Sequence, residues 1–371
     1  MFLSRDGGSV QTTVPVIRAL QMRGYETSIV SLTVSRPLLE QRGIVSEPLD
    51  EGGFASAPAD CMRTLLKRVR PDVVVSGSSP AKGIPPETPE QHAIIASRSL
   101  GVPTVGILDY WGMYKERFTC LGDTVDLSLV PDRLCVLDKR CLDDLTAFGV
   151  PAERMSITHN PWMDDVVCRA MEARIDTGRA PVGGLTVLFV SQPFAETAAV
   201  RQWSYTQLTL LDRLIECLPT PPDGASHRVI IWPHPAEASD RWSVVGLRSR
   251  PGIAIDVSFD RDPRVFTEVD LVVSGHSTVA YEALYYGVPC VSLRPTSLPE
   301  EKLLTEELEL SHHFDGADSF RTYLATGGVE MSRRNLAARK NVLLSEGLFF
   351  SDGHATGRVV SAIEKMVEEG R

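Results

Sequence analysis

The feature that most constrains this chain is a unit repeated along nearly its whole length: a short β-branched run, a turn, then an amphipathic stretch of helical period. Strands joined by helices run parallel and are covered by helices on both faces, so the pattern specifies α/β sheets of the doubly wound kind. In the first half, strands are read at 27–32, 73–76, 104–108, 133–137 and 156–159, and helices at 14–23, 60–69, 89–100 and 139–148. The second half repeats the scheme, with strands at 185–190, 229–232, 253–256, 271–274 and 290–293. Gly24, Gly101 and Gly149 each follow a helix and precede a strand, where a left-handed C-cap is wanted.

A chain of 371 residues exceeds what one core supports. Two Rossmann-like domains are expected at 1–165 and 180–350, with a linker at 160–184 whose end, from Thr177 to Gly184, is rich in turn residues. The final segment, 355–371, carries Val359, Val360, Ile363 and Met366 at helical spacing and is placed to cross back onto the first domain. The blocks 52–58 and 77–89, rich in Gly, Ser and Pro, are read as loops.

A net charge of −10 argues against a chain built to neutralise nucleic-acid phosphates. The seven cysteines include no C-x-x-C pair, which suits packing thiols in a reducing compartment. Apolar runs fall short of the ~20 residues that span a bilayer, and Arg5-Asp6-Gly7-Gly8 stands where a signal peptide would be apolar. The expectation is a cytoplasmic protein, with peripheral association with a membrane-bound acceptor left open. No H-x-x-x-H pair occurs among the histidines, and no metal site is expected; the absence of a G-x-S-x-G elbow and of a Walker loop argues against hydrolase and P-loop readings.

The richest segment is 272–294. A buried strand enters Ser274-Gly275-His276-Ser277-Thr278 and a helix begins there, so backbone N–H groups and small hydroxyls converge at a positive helix end suited to a phosphate. Glu282, one turn beyond Thr278, is placed to accept from ribose hydroxyls. The plainer alternative is that Ser277 or Thr278 only caps the helix. A second strand ends at Pro233-His234-Pro235, where flanking prolines hold the imidazole at the strand terminus; a turn histidine is the alternative. A third ends at Ser191-Gln192. Three loops at one sheet edge are read as one binding site.

In the first half Asp109 ends a strand and can serve as a general base, or it caps a helix and pairs with Arg117. Ser76-Gly77-Ser78-Ser79 and the acidic pair Glu87 and Glu90 are read as its neighbours, and Gly7 and Gly8 as a strand–helix loop that lets a ligand approach the backbone.

With these residues in view, the chain resembles the GT-B superfamily of nucleotide-sugar enzymes, nearly throughout in architecture and over 272–293 in motif. The resemblance implies two Rossmann-like domains facing a cleft, donor in the C-terminal one and acceptor in the N-terminal one. The run Ser292-Leu293-Arg294-Pro295-Thr296-Ser297-Leu298-Pro299-Glu300 is similar to one in UDP-N-acetylglucosamine 2-epimerases. Those enzymes open with Gly-Thr-Arg-Pro-Glu where this chain has Arg5-Asp6-Gly7-Gly8, and they carry Glu-Arg where it has Ser297-Leu298. Pro233-His234-Pro235 followed by Ser277-Thr278 resembles bacterial sialyltransferase-like and capsule-polymer transferases, which implies that His234, Ser277 and Thr278 contact the donor phosphate.

The leading expectation is a glycosyltransferase without metal or other cofactor, with a nucleotide sugar as donor substrate and a small-molecule or glycan acceptor. His234, amides near Ser277, and Arg294 would stabilise the leaving nucleotide, while Asp109 or Glu90 takes the acceptor's proton. The alternatives are an epimerase or nucleotide-sugar hydrolase, a transferase of alditol phosphate from a cytidine diphosphate donor, and a non-catalytic nucleotide-sugar-binding protein.

Overall fold

The computed structural model describes residues 1–81, 87–119, 123–173, 183–196, 205–222, 224–234, 237–248, 250–295 and 303–370. Pro235, residues 296–300, Cys120, part of the 77–89 loop and residues 174–182 of the 160–184 linker lie outside the described residues. The chain divides into two compact units, Met1–Cys168 with Leu343–Arg371, and Arg169–Val342.

The first unit holds seven parallel strands: β1 (Phe2–Ser4), β2 (Ile29–Ser31), β3 (Glu47–Pro48), β4 (Val74–Ser76), β5 (Thr104–Ile107), β6 (Arg133–Val136) and β7 (Met155–Ile157). Their order is β3-β2-β1-β4-β5-β6-β7. The second unit holds β8 (Thr186–Val190), β9 (His227–Trp232), β10 (Ile253–Val257), β11 (Leu271–Ser274), β12 (Cys290–Leu293) and β13 (Ser311–Phe314), ordered β10-β9-β8-β11-β12-β13. Both sheets reverse direction once, between β1 and β4 and between β8 and β11. At such a switch point the crossovers on either side diverge and leave a crevice at the carboxyl ends of the strands.

Strands buried on both faces are the ones readable as apolar runs; β13, Ser-His-His-Phe at a sheet edge, has no such signature. The first helix, Gly7–Met22, starts seven residues before the stretch its periodicity suggests. Asp6 and Ser9 form a capping box there, and Val10, Val14 and Ile17 extend the apolar stripe, so Gly7 and Gly8 lie in the first helical turn rather than in a free loop. Gly24, Gly101 and Gly149 have φ of 83°, 69° and 107°, the left-handed values a helix end takes most easily with glycine.

Helix Ala355–Glu369 belongs to the first unit: Val359, Val360 and Ile363 are buried with Val10, Val14 and Ile17 in one core. Its first amides are capped from a distant segment. Asp164 accepts from Ala355 N at 2.9 Å and from Thr356 N at 2.7 Å. Asp138, 1% exposed, accepts from Cys141 N, Trp111 Nε1 and Phe349 N, so one carboxylate ties the returning chain to a helix start and to the loop after β5. Among the described residues no helix is long and apolar enough to cross a membrane.

Replacing Asp164 with Ala should lower the stability of the first unit by about 1–3 kcal/mol, because two helix-start amides lose their acceptor. Urea unfolding checks this, and an unchanged midpoint would show that water satisfies those amides as well.

Candidate functional site

In the first unit, the residues at the switch point interlock. Gly77, just past β4, packs so tightly on Ser9 that a Cβ there would collide with the serine Cβ. A Cβ on Gly8 would strike the Asp109 carboxylate, so glycine is what lets that carboxylate sit against the start of the Gly7–Met22 helix. Arg117, 3% exposed, donates through Nη1 to Asp109 Oδ1 at 3.0 Å, to Ser78 Oγ at 2.9 Å and to the Ser78 carbonyl. Asp109 is therefore paired with Arg117, and the Tyr114–Phe118 helix, capped by Met113 without a side-chain bond, does not use it. Burial raises the Asp109 carboxyl above the ordinary aspartate range, with Arg117 acting in the opposite direction and Asp6 adding to the rise.

Glu90 lies deeper. It is 2% exposed, Ser79 Oγ donates to its Oε1 at 3.2 Å, and its Oε2 has no hydrogen-bond partner among the described residues. Beside it is a cavity of about 10 Å³ lined also by Arg117 and Ser78. Burial pushes the Glu90 carboxyl up to about 7. Glu87, by contrast, is exposed, and its backbone N–H donates to Gln91 Oε1 at 2.8 Å. The structure thus brings together Gly8, Asp109 and Ser78, with Arg117 and Asp6 as members that sequence did not mark as site residues.

In the second unit, loops after β8, β9, β10 and β11 meet at the switch point. His276 N donates to Gln192 Oε1, and the His276 ring lies 3.3 Å from Tyr205 Oη through Nε2. A Cβ on Gly275 would collide with Phe194 and Gln192, so this glycine, too, is required by a close approach. Ser292 Oγ donates to the Gly275 carbonyl at 2.6 Å. Ser277 is half-buried, with its Oγ accepting from Val279 N at 3.2 Å; Thr278 is exposed at the start of the Val279–Tyr285 helix and makes no side-chain cap. Of the two hydroxyls, Ser277 does the local capping.

His234 follows β9 and is half-buried. Its backbone N–H donates to Glu237 Oε2 at 2.8 Å, and Ser191 Oγ donates to Glu237 Oε1 at 2.7 Å. Arg261, in the loop after β10, donates from Nη2 to the Pro233 carbonyl at 2.6 Å. Burial lowers the Arg261 guanidinium's hold on its proton, while Glu237 and Glu282 oppose that shift, which places all three charges in one neighbourhood.

Two sequence expectations need correction. Arg294 is 1% exposed and donates from Nη2 to both carboxylate oxygens of Glu306, at 2.5 and 2.6 Å, so its charge is already neutralised inside the unit. Ser191, also 1% exposed, turns its hydroxyl inward to Glu237. Both are framework. Glu237 and Arg261 escape a reading by motif because neither belongs to the His-Pro or Ser-Thr pair; the glutamate three residues after His234 is the one signal the sequence offers for them.

No protein-family model matches this sequence, and no curated protein matches it. Among solved structures it is similar to the UDP-GlcNAc 2-epimerase from Neisseria meningitidis bound to UDP-GlcNAc, at 14% identity and TM-score 0.64 over 98% of this chain and 99% of that one. The MurG of Acinetobacter baumannii superposes with TM-score 0.60 at 15% identity, covering 98% and 99%. The chain has the GT-B fold. A third GT-B likeness is the glycotransferase of kitacinnamycin, with TM-score 0.62 and 16% identity over 98% and 97%. Identities this low carry the fold and leave the activity to the site itself.

Glu90 yields a pH test. Its carboxyl titrates higher folded than unfolded, so the folded protein keeps a proton the unfolded chain has lost, and stability falls as pH rises from about 4.5 through about 7. Glu90→Gln should therefore match the wild type near pH 4 and exceed it at pH 8 by up to about 3 kcal/mol in urea unfolding. Equal stability at pH 8 would mean that Glu90 ionises there without cost.

Proposed function

We propose that this protein is a glycosyltransferase that needs no metal or other cofactor, holding the nucleotide diphosphate of a sugar donor on its second unit and supplying a carboxylate base from its first. The observation that carries the proposal is the stitched switch point of the second sheet. There the His234 loop is tied to the end of β8, and the Gly275–Ser277 turn is held by the His276 amide donating to Gln192 Oε1 and by Ser292 Oγ donating to the Gly275 carbonyl. Such preorganised donors suit the charge that develops on a leaving diphosphate. Glu282 and Arg261 flank the same edge and supply a ribose acceptor group and a cation respectively.

In the transfer step the acceptor oxygen bonds to the anomeric carbon as the bond from that carbon to the diphosphate oxygen breaks. Asp109, whose raised basicity suits the task and whose orientation Arg117 fixes, is the first unit's candidate for the base that takes the acceptor's proton. The diphosphate leaves as the anion, stabilised by His234 and the turn amides. The likeness in fold to a UDP-GlcNAc 2-epimerase keeps epimerisation as the rival activity.

Thermal shift against the diphosphates of uridine, cytidine, guanosine and thymidine tests donor binding. At a hundredfold excess over the dissociation constant, one of them should stabilise the wild type by about 2.7 kcal/mol, and His234→Ala should weaken it about 10–100-fold. No stabilisation by any of the four sinks the proposal. Asp109→Asn should keep nucleotide binding and lower transfer about 10²–10⁴-fold. Conversion of the donor to an isomer with no acceptor present would assign the epimerase instead.

A further inference from the structure

We infer that Glu237 is the positioning residue for His234, and that its carboxylate, rather than the flanking prolines alone, sets where the imidazole meets the donor phosphate. The inference rests on the nucleotide site proposed above. Glu237 is 9% exposed, and both of its oxygens are engaged: Oε1 by Ser191 Oγ at 2.7 Å and Oε2 by the His234 amide at 2.8 Å. The bond is reciprocal, because Glu237 N donates back to the His234 carbonyl at 2.9 Å. Pro233, just before His234, is held independently through its carbonyl by Arg261.

The consequence is geometric. Proline at 233 restricts the local backbone but exerts no pull toward the neighbouring strand. The carboxylate does exert one, joining the loop after β9 to the end of β8 just beyond the pair Val190↔Trp232 that closes the ladder. Ser191 N already donates to the Trp232 carbonyl at 2.9 Å, so the Glu237 bridge extends the sheet's own register one step past its end and carries it into the loop. His234 thereby inherits the position of the strand. A carboxylate accepting two such bonds in a buried setting is a stronger tie than a neutral turn bond. Removal of Glu237 leaves the His234 amide and the Ser191 hydroxyl without that acceptor and frees the imidazole to shift, where a misplacement of ~1 Å costs a positioned group about a hundredfold in efficiency.

The test is a double-mutant cycle on nucleotide affinity, using whichever of the four nucleoside diphosphates stabilises the wild type most. Glu237→Ala should weaken binding about 10–100-fold. In a His234→Ala background the same change should cost little, because the group it positions has gone. Glu237→Gln retains an acceptor for the His234 amide and should bind within a few-fold of wild type. Should Glu237→Ala fail to fold, Ser191→Ala removes one leg of the bridge and should show a smaller loss, again absent in the His234→Ala background. Full affinity in Glu237→Ala, or losses that add independently in the double variant, overturns the positioning role. A wild type that binds no diphosphate overturns the nucleotide site itself, whereas wild-type binding lost in His234→Ala but kept in Glu237→Ala overturns only the role of Glu237.

Discussion

Everything in this molecule that bears on function follows from the single reversal of strand order in each parallel sheet. Because β1 and β4, and likewise β8 and β11, send their crossovers to opposite sides, their carboxyl ends open apart and leave a crevice between them. Loops that meet there must satisfy their own backbone groups, and they do so with side chains brought from neighbouring strands. Ser78 serves in the first sheet, donating to the Ile107 carbonyl at the end of β5, and Gln192 and Ser292 serve in the second.

The two sheets solve the same problem with opposite chemistry. The first gathers carboxylates, Asp6, Asp109 and Glu90, near Arg117, and burial raises the Asp109 carboxyl and pushes that of Glu90 up to about 7. The second ties the Arg261 guanidinium to the Pro233 carbonyl and the His276 amide to Gln192.

The returning chain is part of the support of the first sheet's site. Asp138 binds Phe349 N and Trp111 Nε1 together, and the Trp111 ring stacks on Phe349 at 5.5 Å. Trp111 lies two residues past Asp109, and Asn160 Nδ2 donates to the Asp109 carbonyl at 3.3 Å. The loop that carries the candidate base is thus braced by segments more than fifty and more than two hundred residues further along the sequence.

Strand positions and left-handed glycines are legible in the sequence because they are local: β-branched runs report burial on both faces, and Gly24, Gly101 and Gly149 report a backbone other residues avoid. His234, Ser277 and Asp109 are legible as candidates because each follows the end of a strand. Partnership is legible only at short range, as for Asp109 and Arg117. Arg294 looks like a free cation in sequence and is neutralised by Glu306; Ser191 looks like a ligand hydroxyl and serves Glu237; Glu90, read as a candidate base, is buried with its carboxyl pushed up to about 7. For strands buried on both faces, which residues stand at their ends is a matter of sequence, since pleat and period are properties of a few neighbouring residues. Which of those residues keep their charge and hydrogen-bonding capacity for a ligand is a matter of the folded chain, because burial and pairing depend on segments brought together from far apart.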